Sequence, residues 1–194
     1  MLLKGSCHCQ AVRFSVESHE PVPFMRCYCS ICRKTAGSGG FAINLGADFR
    51  TLKVKGREHL AVYRARLGRG AGAKRSLAER HFCKVCGSPL WAWDPRWPEL
   101  VHPHAGAIDT PLPEPPKVTH MMLGSKADWV AVQRGRGDSS FDAYPELSLA
   151  QWHAKHGLTR YPGARLGRVG VDPVEVLVVR SRIAATLRHE QEER

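Results

Sequence analysis

Residues 82–87, Phe82-Cys83-Lys84-Val85-Cys86-Gly87, have the spacing of a zinc knuckle. Two cysteines separated by two residues can face one metal ion from a short loop, and the glycine that follows tolerates the positive φ that such a loop needs. One knuckle supplies only two of the four ligands that a structural zinc ion takes. The sequence therefore predicts that a second cysteine pair, from a distant segment, completes this site.

All seven cysteines of the 194-residue chain fall in three short groups, which are the knuckle and two groups near the start. Cys7 and Cys9, on a predicted turn between two extended segments, are natural partners of the knuckle. The remaining group holds Cys27, Cys29 and Cys32. Three protein ligands leave a zinc ion one open position, as in catalytic sites. The pattern thus favours one closed site of four cysteines and one open site of three.

Spacing alone leaves other arrangements open. Cys27 or Cys29 could pair with the knuckle in place of the first group. A histidine could also close the three-cysteine site, and His102 and His104 are candidates, although packing or surface roles are commoner for such residues. A disulfide framework is disfavoured, because the cysteine count is odd and the chain begins without the apolar segment of a secretory signal.

The composition excludes two broad classes of protein. With 43% hydrophobic and 24% charged residues the chain is globular and not disordered. No apolar run approaches the roughly 20 residues of a membrane span, and clustered free cysteines favour the reducing cytoplasm.

The formal net charge of +11 is large, but seven metal-bound thiolates and two zinc ions would lower it to about +8.

Short extended segments separated by turn residues predict an all-β protein with little helix. Val12, Phe14 and Val16 alternate with polar residues, as in a half-buried strand. Further extended segments are predicted at residues 2–5, 41–45, 50–55, 60–63, 76–82, 89–93, 100–108, 118–123 and 129–133, with a basic, glycine-rich loop at 64–74.

Two short helices are expected. The first spans residues 30–36, with Ser30 as its N-cap and Gly37 as its stop. The second spans 147–156 and ends at Gly157. We divide the chain into a zinc-binding β domain at 2–133 and a C-terminal extension at 134–194, which consists of a linker, a helix and an arginine-rich tail.

Three segments together resemble the glutathione-dependent formaldehyde-activating enzyme family. They are Gly5-Ser6-Cys7-His8-Cys9-Gln10-Ala11-Val12-Arg13-Phe14, Cys27-Tyr28-Cys29-Ser30-Ile31-Cys32-Arg33-Lys34 and Phe82-Cys83-Lys84-Val85-Cys86-Gly87-Ser88-Pro89-Leu90, with echoes at 105–109, 119–121 and 125–129. The resemblance covers residues 2–133. It implies a complex β-barrel of short strands folded around structural zinc.

The resemblance also implies roles for the cysteines. Cys7, Cys9, Cys83 and Cys86 match the structural zinc site, and Cys27, Cys29 and Cys32 match the catalytic one. The chain departs from the family pattern at Gln10, where glycine is common, and at Tyr28, where histidine is usual. Neither position is a zinc ligand, so the departures put the choice of substrate in question and leave the prediction of metal binding in place.

The family's reaction joins the thiol of glutathione to formaldehyde, giving S-hydroxymethylglutathione, and is formally a carbon–sulfur lyase step. Glutathione carries two carboxylates, and Arg33 and Lys34 directly follow the last ligand of the open site. We therefore predict that these two cations bind substrate, although solvated surface charge is the commoner role for such residues. His120 is predicted as a buried core histidine or as a partner of a zinc thiolate.

Two other hypotheses compete with the enzyme. A non-catalytic, zinc-stabilised module for nucleic acid or protein would use the net charge and the basic segments 53–57 and 64–75. No nucleic-acid motif accompanies these segments, so nucleic acid is the less favoured partner. A purely structural role for both zinc ions is the third hypothesis.

Overall fold

The structure is a computed structural model that describes residues 1–158, so the predicted tail beyond them lies outside the described residues. These residues fall into two units, Met1–Ala65 with the chain from Ser76 onward, and Arg66–Arg75. The strands are β1 (Leu2–Ser6), β2 (Arg13–Glu17), β3 (Phe24–Cys27), β4 (Ala42–Asn44), β5 (Ala47–Asp48), β6 (Lys53–Lys55), β7 (Leu60–Leu67), β8 (Lys74–Cys83), β9 (Pro89–Trp93), β10 (Leu100–Pro103), β11 (Val118–Met121) and β12 (Ser139–Ser140). The helices are α1 (Ser30–Ala36) and α2 (Leu149–Lys155), with 3₁₀ turns at Phe49–Thr51, Arg57–His59, Ala105–Ala107 and Leu123–Ser125. The β class with little helix is confirmed.

The strands form three sheets. Their orders are β1-β2-β6, β5-β10-β9-β8-β7 and β12-β11-β3-β4. The first is antiparallel, whereas in the third β11 runs parallel to both β3 and β12. Each of these sheets has two open edges, so the expected barrel is not confirmed.

Alternation of apolar and polar residues positions the first sheet as predicted. Val12, Phe14 and Val16 are buried, and Leu3 of β1 pairs with Val16 across the sheet. Their side chains join a core that also contains Trp91, whose ring meets the Phe14 ring edge-on at 5.1 Å between centroids. The core is continuous with one cysteine group, because Cys7 and Cys83 are fully buried within it.

A second, smaller apolar cluster surrounds the other cysteine group. It consists of Cys27, Cys32, Ala42 and Met121, with partly buried neighbours that include Met25 and Met122. Strand β11 places Met121 opposite Cys27 of β3, and β4 places Ala42 opposite Cys27 from the other side. The two cysteine groups therefore lie in two separate packing environments.

Several predicted elements have different bounds. Residues 129–133 form no strand, since Val130 closes a turn onto the Ala127 carbonyl and Trp129 is 69% exposed. Residues 50–55 and 100–108 each divide into a strand and a 3₁₀ turn. The predicted loop at 64–74 is shorter, because β7 extends to Leu67 and β8 begins at Lys74.

The first helix has the predicted length but a different N-cap. Cys29 and not Ser30 is the capping residue, because the Sγ atom of Cys29 accepts the backbone N–H of Cys32. Helix α2 is capped by Ser148 in a reciprocal capping box with Gln151. Neither of these helices has the length and hydropathy that a membrane span requires.

The predicted linker contributes to the third sheet. Ser139 and Ser140 form β12 and pair with Thr119 and His120 of β11. The division of the chain at residues 133 and 134 stays a prediction.

Candidate metal centres

Four cysteines from two segments far apart in the chain meet in one cluster. The Sγ atoms of Cys7, Cys9, Cys83 and Cys86 all lie within 4.8 Å of one another. Cys7 and Cys9 are 3.5 Å apart and Cys9 and Cys83 are 3.8 Å apart. Sulfur atoms bound to one tetrahedral zinc ion at 2.3 Å would be separated by roughly 3.8 Å. The donor set and its spacing fit a closed metal site.

Backbone geometry shapes both halves of this cluster. Gly87 has φ of 76°, and its N–H donates to the Cys83 carbonyl at 2.8 Å, which closes the knuckle. On the other half, the Val12 N–H donates to the Sγ atom of Cys7 at 3.2 Å. A hydrogen bond from the Ser88 hydroxyl lowers the pKa of Cys86. The contact with Ser88 favours the thiolate form of Cys86, which is the form that binds metal.

The other three cysteines meet at the junction of β3 and α1. The Sγ atoms of Cys27, Cys29 and Cys32 lie within 4.8 Å of one another. Cys27 is the last residue of β3, Cys29 caps α1 and Cys32 lies in its first turn. Cys27 and Cys32 are buried, whereas Cys29 is partly exposed. The group thus has one open side, where Cys29 lies.

The three thiols differ in acidity. Hydrogen bonds with Cys27 and Cys32, together with backbone N–H groups of the helix start, lower the pKa of Cys29. The hydrogen bond with Cys29 in turn raises the pKa of Cys27. Cys29 is therefore the thiol that loses its proton first, as expected for a cysteine at a helix N-terminus.

Histidine does not close this group. The Nδ1 atom of His102 lies 3.0 Å from the Leu45 carbonyl, and Nδ1 of His104 lies 3.1 Å from the Asn44 side-chain oxygen. Among residues 1–158, no histidine, aspartate or glutamate joins the three cysteines. The structure therefore brings the cysteines together as four and three, and the arrangements with a histidine ligand or with Cys27 or Cys29 at the knuckle are not those observed.

His120 is a buried core histidine that bonds to Tyr28 and Asp138. The structure does not show His120 in its other predicted role, as a direct partner of a cysteine thiolate. Tyr28, which replaces the usual histidine of the family pattern, is also fully buried.

The two predicted substrate-binding cations lie on α1. Arg33 is partly buried, and its Nε atom is buried without a hydrogen-bond partner among the described residues. Lys34 is exposed. Their roles in substrate binding stay predictions.

Two further residues near the three-cysteine group were not predicted. Hydrogen bonds with Cys27 and Cys29 have the largest effects on the pKa of Cys32. The positive charge of Arg80 has a smaller effect, which lowers that pKa. The pKa of Tyr144 is raised to about 12 by desolvation, with the added effect of the three thiols, although the residue is 44% exposed. Neither residue is close to Cys27, Cys29 or Cys32 in sequence, so no local motif signals it.

An open cleft of about 610 Å³ adjoins the four-cysteine group and the end of α1. Its lining includes Cys7, Ser38, His104 and Asp109. The cysteines of the open group are not among the lining residues, so the cleft is a neighbour of the closed group.

Comparison with known proteins agrees with the cysteine pattern. The family model described as "Glutathione-dependent formaldehyde-activating enzyme" matches residues 2–124. A Halomonas elongata protein named "Putative glutathione-dependent formaldehyde-activating enzyme" is 57% identical over 158 residues, which are 81% of this chain and 98% of that protein.

A crystal structure of a Rhodobacter sphaeroides protein is also similar. It is 30% identical, with a TM-score of 0.43, over 57% of this chain and 91% of that one. On the family match and the identity to the Halomonas protein, the chain belongs to the glutathione-dependent formaldehyde-activating enzyme family.

Proposed function

We propose that this protein is a zinc-dependent carbon–sulfur lyase of the S-(hydroxymethyl)glutathione synthase type. Its substrate would be the adduct of glutathione, or of another small thiol, with an aldehyde such as formaldehyde. The observation that carries the proposal is the group Cys27, Cys29 and Cys32, whose sulfur atoms converge with no fourth ligand among residues 1–158. Free cysteines in two clusters also favour a cytoplasmic location.

The donor set favours zinc at both groups. Thiolate sulfur is a soft ligand that selects zinc over calcium or magnesium. Four thiolates make a closed structural site, whereas three leave one position for a substrate. When bound at the open group, zinc would supply a Lewis acid that holds the incoming thiol in its anionic form.

The reaction needs one bond made and one proton moved. The sulfur of the thiolate attacks the carbonyl carbon, the C–S bond forms, and the π electrons of the C=O bond move to oxygen. The oxygen then takes a proton, while the proton of the original thiol leaves. The lyase direction reverses these steps and returns the free thiol and the aldehyde.

The chain's own residues would contribute at both ends of this step. Tyr144, which is 44% exposed, stays a neutral phenol at physiological pH, because its pKa is raised to about 12. A neutral hydroxyl on which the charges of the three thiols act would donate a hydrogen bond to the oxygen on which negative charge develops. Arg80, whose charge acts on Cys32, would offset the negative charge of the thiolates. Arg33 and Lys34 would bind the carboxylates of glutathione.

The proposal is tested by the rate of adduct formation. Thiols add to formaldehyde without a catalyst, so the measurement is the exchange between glutathione and S-hydroxymethylglutathione, followed by NMR in matched buffers. We expect the zinc-loaded protein to accelerate exchange above the buffer rate and Cys29→Ser to abolish the acceleration. A protein with two zinc ions per chain that leaves the buffer rate unchanged would contradict the proposed function.

A further inference from the structure

A chain of three buried side chains leads from the C-terminal extension to the three-cysteine group. The hydroxyl of Tyr28 lies 2.8 Å from Nδ1 of His120, and Nε2 of His120 lies 3.3 Å from Oδ2 of Asp138. Tyr28 and His120 are fully buried, and the Asp138 side chain is 8% exposed. Asp138 lies beyond residue 124, where the family match ends.

The chain has a defined direction. An ionised carboxylate only accepts hydrogen bonds, so the imidazole must present Nε2–H to Asp138. Burial lowers the pKa of His120, which is therefore neutral and has a bare Nδ1. The Tyr28 hydroxyl must then donate to Nδ1, which fixes the tautomer of the imidazole and the orientation of the phenol.

Asp138 is itself held by the backbone. Its Oδ1 accepts the N–H of Val118 at 2.8 Å, and its Oδ2 accepts the N–H of Gly135 at 2.7 Å. These hydrogen bonds, that of Val118 first, lower the pKa of Asp138 and keep it ionised. The carboxylate thus ties the start of β11 to the turn before β12.

The far end of the chain is the ligand loop. Tyr28 lies between Cys27 and Cys29 in sequence, and its N–H donates to the Met121 carbonyl at 3.0 Å. The Tyr28 ring also packs on Phe41, with 5.2 Å between ring centroids. The loop is therefore held at two points, by a backbone bond to β11 and by a side-chain bond to His120.

We propose that Asp138, acting through His120 and Tyr28, is a positioning residue for the three-cysteine metal site. The segment 134–140 then belongs to the functional site, because its carboxylate fixes the spacing of Cys27 and Cys29. This inference rests on the proposed function in one respect only, which is that Cys27, Cys29 and Cys32 bind a second metal ion.

Metal affinity provides the test. The full-length protein is stripped of metal and titrated with Co²⁺ against a competing chelator, with Cys29→Ser used to assign the signal of the open group. In Tyr28→Phe and in Asp138→Asn we expect affinity at that group to fall about tenfold, the lower end of what outer ligand partners contribute. Affinity at Cys7, Cys9, Cys83 and Cys86 should stay unchanged.

Asp142→Asn is the matched control, because it removes an equal charge from an exposed position two residues beyond that segment. It should leave both affinities unchanged. Nitrogen NMR should detect the Nε2–H tautomer of His120 in the wild-type protein and a changed population in Asp138→Asn.

Three results would overturn the inference. They are unchanged affinity at the open group in both variants, an equal loss at both groups, and the absence of any Co²⁺ binding by Cys27, Cys29 and Cys32. The two proposals fail separately. If the zinc-loaded wild-type protein shows no catalysis but both variants still bind metal more weakly at the open group alone, only the proposed function is contradicted.

Discussion

Cys29 caps the helix that carries Cys32, and its Sγ atom accepts the Cys32 backbone N–H at 3.3 Å. One short turn thus supplies two candidate ligands and also a backbone donor that stabilises the thiolate of Cys29. The third ligand, Cys27, comes from β3, whose register is fixed by β11 and β4 on its two sides. The open group therefore depends on the local helix start and on long-range strand pairing.

Replacing one cysteine in each group should separate their roles. Cys29→Ser should reduce the metal content from two ions per chain to one and leave the fold intact, because the open group lies in the smaller cluster. Cys83→Ser should destabilise the whole protein, because Cys83 is buried in the main core. Metal analysis with thermal unfolding measures both effects, and unfolding of Cys29→Ser would contradict the assignment.

The Trp91 ring should be a major source of stability. It is 1% exposed and packs against both the Phe14 ring and the His81 ring, the latter at 5.0 Å between centroids. Trp91→Ala should lower the free energy of unfolding by about 3–5 kcal/mol, the range for deleting a large buried aromatic. Trp129→Ala, at a 69% exposed position, should change it by less than about 0.5 kcal/mol. Denaturant unfolding of the two variants checks the contrast, which fails if their losses are equal.

Gly5 is required by close packing between β1 and its neighbours. A Cβ atom at this position would collide with the Ala107 carbonyl and with the Phe14 ring. Gly5→Ala should therefore destabilise the protein by about 1–3 kcal/mol, as overpacking does. Gly39→Ala is the control, because a Cβ atom there meets nothing within 4 Å. Equal unfolding midpoints for the two variants would show that β1 adjusts without cost.

Acid should destabilise the fold through His104. Burial, with the nearby charge of Arg80, lowers the pKa of His104 to about 3, whereas an unfolded histidine has a pKa of about 6.5. Between these values the unfolded chain binds a proton that the folded chain does not. Stability from this group is therefore fully present above about pH 6.5 and is lost as the pH falls toward about 3, with a slope of up to about 1.4 kcal/mol per pH unit.

The variant His104→Gln should show a shallower loss of stability over the same range of pH. Loss of metal from the cysteines in acid is common to both proteins and cancels in the comparison. Denaturant unfolding at pH 7, 6 and 5 measures the difference, and identical slopes would rule out His104 as the titrating group.

Tyr144 should affect catalysis more than binding. Tyr144→Phe removes the hydroxyl that we propose donates to the developing oxygen charge, so kcat should fall about tenfold or more with little change in KM. Tyr63→Phe is the matched control, because Tyr63 is as exposed as Tyr144, 45% against 44%, and it should have wild-type kinetics. The NMR exchange assay measures both variants, and a wild-type kcat in Tyr144→Phe would remove this residue from the proposed step.

The spacing of the cysteines alone predicted much of the candidate site. A short loop lets Cys83 and Cys86 face a common ion, so each ligand pair or triplet is a local motif that the sequence displays directly. The strand at residues 13–17 and the helix at 30–36 were likewise predicted, because alternation and turn residues act over a few positions. The choice of Ser30 as N-cap was wrong, since a cysteine is seldom expected to cap a helix and nothing local reveals that Cys29 does so.

Other features depend on which strands become neighbours. Arg80 and Tyr144 are linked to the open group by electrostatics, and Asp138 is linked to it through His120 and Tyr28. All three come from segments far from it in the chain, and no local pattern encodes such contacts. For the same reason the sequence could not show that the sheets stay open or that β12 joins β11. The sequence determined which atoms can bind metal, because ligand chemistry and short-loop geometry are local. The tertiary structure alone decided which charges and hydroxyls surround them, because those contacts form only when distant strands pair and exclude water.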